Sequence, residues 1–327
     1  MTALVTGGAG YIGAHVRRAL QAAGHQVVVV DDLSTGFVDR VPDDVPLLTA
    51  DLVDPGTTSV LAEFMAAHGV DSIVHLAARK LVEESVRLPE RYLGDNLASL
   101  ATVVGAMRRN RVRVLLFSSS ASVYGAPEAE FVREDDPTVP VNPYGASKLA
   151  GEWLTAAAVA LGGRAASLRY FNVAGAAEPH LGDRAVLNLV PMIFERLDAG
   201  LPPRIFGADY PTPDGTCVRD YVHVADLAEA HVAVLDRLLR PGDDGTHEVY
   251  NVGTGTGASV AEIMSAVAAA SGIAFTPVIE PRRAGDPPRV VADPSRIRQE
   301  LGWRAVRGLT ETVESAWRAW VHARSTR

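Results

Sequence analysis

One cysteine, Cys217, stands in 327 residues, so no disulfide can form within the chain and a reducing, cytoplasmic setting is expected. No Cys/His pattern at ligand spacing surrounds it, so no metal site is expected. Basic residues are also short. Lys and Arg total 31 against 39 Asp and Glu, a net charge of −8, and no long basic run offsets it, which argues against a nucleic-acid surface. Arg108, Arg109, Arg111 and Arg113 flank a predicted strand and read as a solvated loop. Long apolar runs are missing too: Ser259–Ser271 is too short to span a bilayer and is interrupted by Glu262. Met1 runs almost directly into Ala3-Leu4-Val5, with no basic segment and no cleavage site, so no signal peptide is expected. Internal repeats and low-complexity segments are absent.

What is present is an alternation. Short β-branched runs at Ala3–Val5, Gln26–Val30, Leu47–Thr49, Ser72–His75, Val112–Ser118 and Ala165–Tyr170 read as strands, with helices between them, the first at Ile12–Ala23. Continuous apolar strands alternating with helices predict an α/β fold, a doubly wound parallel sheet of Rossmann type covered on both faces. After Asn172 the pattern breaks into loops rich in Gly, Ala, Pro and Asp, with helices at Leu187–Ala199, Ala225–Leu239, Val260–Ala270 and Thr310–Ala323. This predicts a dinucleotide-binding domain over 1–171, with a possible return segment near 220–240, and a smaller C-terminal substrate-binding α/β lobe over 172–327.

Thr6-Gly7-Gly8-Ala9-Gly10-Tyr11-Ile12-Gly13 carries Gly7, Gly10 and Gly13 between the first strand and first helix. Glycines there allow a tight turn and close approach of phosphate to the amides, and the helix start faces the pyrophosphate. Tyr11 and Ile12 join that cradle. Asp31 ends the second strand, where a carboxylate accepts from ribose hydroxyls and repels a 2′-phosphate; NAD is therefore favoured over NADP. Asp32 and Ser34 are further candidates beside it, and Asp51-Leu52 is placed to reach the adenine. Leu76, Ala77 and Ala78 follow His75 and leave room for the dinucleotide, while His75 itself reads as structural. Lys80 and Asn96 complete the expected contacts, with Ser118 and Tyr170.

The candidate chemistry lies in Tyr144-Gly-Ala-Ser-Lys148 and Ser120. A free phenol titrates at about 10, so tyrosine is a poor base at neutral pH. A lysine four residues on shares its helical face, and its cation favours the phenolate, as would an oxidised nicotinamide. Ser120, at the end of another strand, completes an apparatus for alcohol–ketone chemistry.

Together these motifs resemble the extended short-chain dehydrogenase/reductase family, and within it the 4-epimerases of UDP-sugars. The resemblance runs through TGGAGYIG, Phe117-Ser118-Ser119-Ser120-Ala121-Ser122-Val123-Tyr124-Gly125, Asn142-Pro143-Tyr144-Gly145-Ala146-Ser147-Lys148 and Leu168-Arg169-Tyr170-Phe171-Asn172. It continues through Ile205–Thr212, Asp214–Leu227 and Pro281–Asp286. It implies an NAD-dependent isomerase of carbohydrate metabolism that interconverts UDP-glucose and UDP-galactose through a transient 4-keto sugar, with Tyr144 as base, Ser120 orienting the sugar oxygen and Lys148 lowering the phenol's pKa. It further implies that Asn172, Asn188, Leu189, Arg219, Arg283 and Asp286 hold the UDP moiety, that Phe206 lies near the uracil, and that Lys80, Ser120 and Val290 border the sugar. Arg219 and Arg283 offer planar forks to a diphosphate, and Asp286 can accept from ribose hydroxyls.

Three features depart from the family pattern. Glu83 stands beside Glu84 where glycine is usual, the Val173–Leu187 loop is short, and Val290 occupies a place held by a bulky tyrosine or a small residue. A 4,6-dehydratase is disfavoured because Ala121 and Ser122, not carboxylates, follow Ser120. A 4-epimerase of UDP-N-acetylglucosamine, UDP-glucuronate or a UDP-pentose remains the alternative, and a non-catalytic NAD sensor would not need Ser120, Tyr144 and Lys148 together. The helices predicted at Asn96–Met107 and Ala146–Leu161 are apolar on several faces, which reads either as packing against the sheet with alanine-rich filler or, the preferred reading, as a homodimer interface of paired helices. No nucleic acid and no membrane partner is expected.

Overall fold

A computed structural model describes every residue except 161, 243, 284, 326 and 327. Leu161, the expected end of the Lys148 helix, and Ala284, inside the Pro281–Asp286 motif, therefore lie outside the described residues. The chain divides into two compact units, one built from Met1–Gly125, Pro137–Arg169 and Ala228–Tyr250, the other from Ala126–Asp136, Tyr170–Leu227 and Asn251–Arg327. Ala228–Tyr250 from the second half of the sequence thus joins the first unit, and the short stretch Ala126–Asp136 leaves the first half for the second unit.

In chain order come β1 (Thr2–Thr6), α1 (Tyr11–Ala22), β2 (Gln26–Asp31), β3 (Leu47–Thr49), α2 (Thr57–Ala67) and β4 (Ser72–His75). Then follow α3 (Val82–Arg87), α4 (Pro89–Asn110), β5 (Val114–Ser118), α5 (Pro143–Val159) and β6 (Arg164–Tyr170). After them lie β7 (Asn172–Ala174), α6 (Leu189–Asp198), β8 (Arg204–Phe206), β9 (Val218–His223), α7 (Val224–Leu239) and β10 (Thr246–Val252). The chain closes with β11 (Gly257–Ser259), α8 (Val260–Ser271), β12 (Val278–Glu280), β13 (Arg289–Val290), α9 (Ser295–Leu301) and α10 (Leu309–Ser325).

Seven strands form the main sheet in the order β10-β6-β5-β4-β1-β2-β3. From β6 through β3 each neighbouring pair is parallel. This is a Rossmann-type α/β fold, and the order reverses between β1 and β4, where ligands of such sheets bind beyond the strand C-termini. Thr6 and His75 end those two strands in register. Leu4, Val28, Val30, Ile73 and Leu115 from the sheet pack with Leu61 and Met65 of α2 and Leu100 and Val103 of α4 in one buried cluster. Strands buried on both faces explain why they read as unbroken apolar runs.

Among the boundaries that differ from the sequence reading, two have clear local reasons. Helix α4 begins seven residues earlier than Asn96 because Pro89 serves as its first residue, while its opening turns are polar and give no apolar periodicity. Strand β5 begins at Val114 because Arg111 takes a left-handed turn (φ 56°) and the Val112 N–H bonds Met107 O at 3.0 Å to close α4.

In the second unit β9 is the central strand of a small sheet, antiparallel to β11 and parallel to β13 and β7. Strands β8 and β12 form a separate parallel pair. Its core centres on Phe194, whose ring meets Trp317 edge-on at 5.1 Å, with Ile263, Val267 and Val313 around it. Helix α8 is bounded by a capping box between Ser259 and Glu262 and by a left-handed Gly272.

Candidate active site

The glycine-rich turn joins β1 to α1, as the motif predicts. Helix α1 starts at Tyr11 with Gly10 as its N-cap, no side chain caps it and no acidic residue occupies its first turn. An anion therefore meets the partial positive charge of this end without a competing carboxylate. A Cβ at Gly13 would lie 2.0 Å from Gly7 O, so any side chain there breaks the turn. Asp31, buried at the end of β2, accepts from Ala9 N and Leu33 N, both at 2.9 Å, one on each oxygen. Each oxygen keeps a lone pair for a ribose hydroxyl. Burial pushes the Asp31 carboxyl above the usual carboxylate range, against the pull of those two N–H donors.

The other side of the β1/β4 switch point is closed by Thr6. Its hydroxyl accepts from Leu76 N and Ala77 N at 3.1 Å and lies 2.8 Å from His75 Nδ1. With its lone pairs taken, Thr6 donates to Nδ1, which fixes His75 as the Nε2–H tautomer. Burial and the nearby Lys148 push His75 down to about 3, so it is neutral; it stacks on Phe117 with centroids 6.0 Å apart. The ring is a structural pin.

Of the remaining cofactor candidates, some have other work. Asp32 caps its own turn, accepting from Ser34 N at 2.9 Å and Ser34 Oγ at 2.7 Å. Asp51 accepts from Val53 N in an exposed turn, and Leu52 packs in the core. Asn96 is buried and ties Arg79 N (2.8 Å) and Arg79 O (3.1 Å) to Ser147 Oγ (2.9 Å), fixing the Leu76–Lys80 segment against α5. Ala78 and Lys80 on that segment are exposed. Glu84 is occupied by Tyr92 at 2.7 Å, while Glu83 is exposed on α3. Tyr170 falls in the second unit.

Tyr144 and Lys148 both lie on α5, as the spacing requires. Asn142 caps the helix by accepting from Gly145 N at 2.8 Å, and Pro143 opens it. A Cβ at Gly151 would lie 2.4 Å from the Phe117 ring, so glycine there lets α5 settle onto β5. Lys148 is 3 % exposed, donates to Ser118 O at 2.8 Å, and lies 5.2 Å from the Phe117 centroid and 5.9 Å from that of Tyr144. Burial pushes its ammonium down to about 7. Burial pushes the Tyr144 phenol up, and a hydrogen bond from Ser120 draws it back. Ser120 Oγ accepts from Ser122 N at 3.1 Å, which leaves its own proton to point at the phenol. The first unit thus assembles Ser118, Ser120, Tyr144 and Lys148 into one cluster.

In the second unit the candidates fall into smaller groups. Arg219 on β9 pairs with Asp286 and donates to Val218 O and Pro287 O, both at 2.7 Å. Cys217 is buried and its thiol points to Asp286 at 3.6 Å. Arg283 stacks over Phe206 at 4.1 Å. Asn188 stands at the N-terminal boundary of α6 without a side-chain cap bond and donates instead to Asp183 at 2.9 Å, with Leu189 beginning the helix. Asn172 is exposed on β7, and Val290 is buried on β13 in register with Arg219. Sequence reasoning passed over Thr6, Phe117, Ser119 and Glu152; the one available signal was Glu152, an acidic residue on the Tyr144–Lys148 face of an otherwise apolar helix.

Residues 3–253 match the model of the NAD dependent epimerase/dehydratase family. A UDP-glucose 4-epimerase of Azospirillum brasilense is 47% identical over 305 residues, covering 92% of this chain and 86% of that protein. One from Corynebacterium glutamicum is 41% identical over 97% of this chain and 95% of its own. Among solved structures, a UDP-glucose-4-epimerase of Stenotrophomonas maltophila with bound NAD and formylated UDP-arabinopyranose superposes with a TM-score of 0.92, at 38% identity over 99% of both chains. A UDP-glucose 4-epimerase of Bifidobacterium longum in complex with NAD+ and UDP gives 0.88 at 35% identity over 98% of both. No helix among the described residues is long and apolar enough to cross a membrane. This chain belongs to the NAD dependent epimerase/dehydratase family.

Proposed function

We propose that the chain is a UDP-glucose 4-epimerase, interconverting UDP-glucose and UDP-galactose through a 4-keto sugar. The observation that carries this reading is the cluster of Ser120, just beyond β5, with Tyr144 and Lys148 on α5, together with the relatives' shared activity. The dinucleotide is held by Gly7, Gly10, Tyr11, Ile12 and Gly13 at its pyrophosphate and by Asp31 at its adenosine ribose; the open start of α1 and the spare lone pairs of Asp31 support that fit. Bound NAD supplies a reversible two-electron acceptor and a positive charge. Tyr144 takes the proton of the sugar 4-hydroxyl and later returns it, while Ser120 donates to the same oxygen and orients it. Lys148, anchored on Ser118 O, favours the phenolate when it carries its proton, against the upward pull of burial on the phenol.

Arg219 and Arg283 grip the diphosphate, Asp286 the uridine ribose, Phe206 the uracil, and Asn172, Asn188 and Leu189 complete the nucleotide site. Such a site binds the nucleotide firmly and the sugar loosely, because both faces of the 4-keto sugar must be presented to one acceptor. Two copies pair through α4 and α5, a reading supported by Trp153, 67% exposed on α5, and Leu93 on α4. The single cysteine accords with a cytoplasmic setting. Incubating the purified protein with UDP-glucose and resolving the products tests the proposal: UDP-galactose at a constant total of UDP-hexose is expected. Net NADH formation, or a dehydrated 4-keto-6-deoxy sugar, would overturn it.

A further inference from the structure

A buried ion pair sits directly behind the reacting groups and has no part in the chemistry above. Glu152 follows Lys148 by four residues and Tyr144 by eight, so all three share one face of α5. Its Oε1 accepts from Ser119 Oγ at 2.5 Å and Arg169 Nε at 2.8 Å, and its Oε2 from Arg169 Nη2 at 2.7 Å. Arg169 Nη1 reaches Tyr124 Oη at 3.0 Å, and its guanidinium lies 4.9 Å over the Tyr124 ring. Glu152, Arg169, Ser119 and Tyr124 are all at most 5% exposed.

The placement of these contacts is what matters. Ser119 stands between Ser118, whose carbonyl holds Lys148, and Ser120, whose hydroxyl bonds Tyr144. Its N–H is taken by Leu168 O at 2.9 Å on β6 and its hydroxyl by Glu152 on α5, so the middle of the Ser118–Ser120 tripeptide is held from two sides. Tyr124 ends the short turn Ala121–Tyr124 that starts right after Ser120. One ion pair therefore fixes the segment bearing Ser120 at both ends. A buried pair of charges is weak evidence for stability, since apolar residues of similar volume often do as well, so its presence calls for another account.

We propose that Glu152 and Arg169 are positioning residues: through Ser119 and Tyr124 they set the register of Ser118 and Ser120 against the helix face that carries Tyr144 and Lys148. The groups facing the pair are Ser119 from the end of β5, Tyr124 from the following turn, and His247 from β10, which bonds Ser167 Oγ at 2.8 Å and is held neutral by burial. A misplacement of 1 Å in such a site costs on the order of 10²-fold in rate. The effect on turnover rests on the epimerase reading, whereas the effect on Tyr144 ionisation does not.

Ser119→Ala removes one link and leaves the ion pair whole, while Glu152→Gln removes the charge. Both are compared with wild type as NAD-loaded protein, with the same substitutions in a Tyr144→Phe background isolating the Tyr144 phenolate absorbance. For Ser119→Ala, kcat should fall about 10-fold with KM for UDP-glucose within about twofold, and the Tyr144 titration should move to higher pH as Ser120 loosens, with bound NAD and melting temperature retained. Ser119→Ala should cost less in Glu152→Gln than in wild type, because the amide oxygen holds the Ser119 hydroxyl more weakly than the carboxylate does. A Ser119→Ala protein with wild-type kcat and an unmoved Tyr144 titration overturns the proposal, as does a loss of kcat that only tracks lost NAD or lost fold. If wild type does not epimerise UDP-glucose and the titration still moves, the clamp stands and the substrate reading falls.

Discussion

The two units use different cations for different work. Of 31 Lys and Arg residues only Lys80 and Lys148 are lysines, and both fall among the candidate site residues of the first unit. Lys148 is buried and tethered to a backbone carbonyl, and burial brings its pKa to about 7. In the second unit the candidate cations are arginines, each already engaged: Arg219 with Asp286 and two carbonyls, Arg283 with the Phe206 ring. A buried ammonium shifts its pKa readily, while a guanidinium keeps its charge and offers a planar fork. The lysine suits a place where charge must be tuned beside a phenol, the arginines a place where an anion must be gripped.

The sharpest way to break the comparison is at the phenol. Tyr144→Phe keeps the ring packing and removes only the oxygen. General acid–base groups contribute about 10²–10⁴-fold, so kcat should fall by that order while NAD content and UDP affinity stay near wild type. Epimerisation near the wild-type rate would falsify the assignment of Tyr144 as base.

Much of the first unit could be read from the chain because local and tertiary demands coincide there. The inner strands of the main sheet are buried on both faces and so are continuous apolar runs, and Tyr144 and Lys148 meet because both sit on one helix. What escaped is what depends on distant partners. Thr6 and His75 are 69 residues apart in sequence, and Ser119 and Glu152 are 33 apart. No periodicity announces such pairs. Asn96 and Asp51 also have work that spacing does not announce: their side chains hold nearby backbone, at Arg79 and at Val53. In the second unit the motifs were legible but the pairing of Arg219 with Asp286 was not, since nothing local distinguishes two ligand-binding groups from two groups that bind each other.

The next effect concerns the tuned cation. In the folded, cofactor-free protein Lys148 loses its proton at about 7, against 10.5 in an unperturbed chain. Between those values the unfolded state binds the extra proton, so stability must rise with pH across this window, by up to about 1.4 kcal/mol per unit. Wild type should therefore gain stability from pH 7 to 9 relative to Lys148→Met, measured by denaturant unfolding. Parallel curves for the two proteins would mean that Lys148 keeps its proton in the fold. His75 works in the same direction at lower pH: its folded value of about 3 lies below 6.5, so its contribution is lost as pH falls from 6.5 towards 3.

A smaller effect sharpens how the first unit sets its geometry. In Gly151→Ala the new methyl meets the Phe117 ring, which also borders Lys148. Overpacking of this kind costs about 1–3 kcal/mol. The expected result is a lower unfolding midpoint and a reduced kcat with little change in KM, because the lysine and the phenol shift together relative to Ser120. Phe117→Leu should relieve part of the Gly151→Ala penalty, and failure of that rescue would place the strain elsewhere.

The smallest effect belongs to the second unit, at Arg283. An exposed guanidinium over a ring contributes about 0.5–1 kcal/mol, so Arg283→Gln should leave the ligand-free melting curve almost unchanged. Its loss should appear in binding, where one charge-assisted contact to the diphosphate is worth about 1.5–3 kcal/mol before solvent screening. At this exposed position the expected change is about 10-fold weaker UDP affinity, shrinking as salt is raised. The nucleotide grip is the same in the ground and transition states, so KM should rise while kcat holds. Titrating UDP into both proteins at low and high salt, beside steady-state kinetics, separates the outcomes. Unchanged affinity at low salt would remove Arg283 from the nucleotide site, and a fall in kcat at constant KM would instead give an arginine of the second unit a share in the chemistry now assigned to the first.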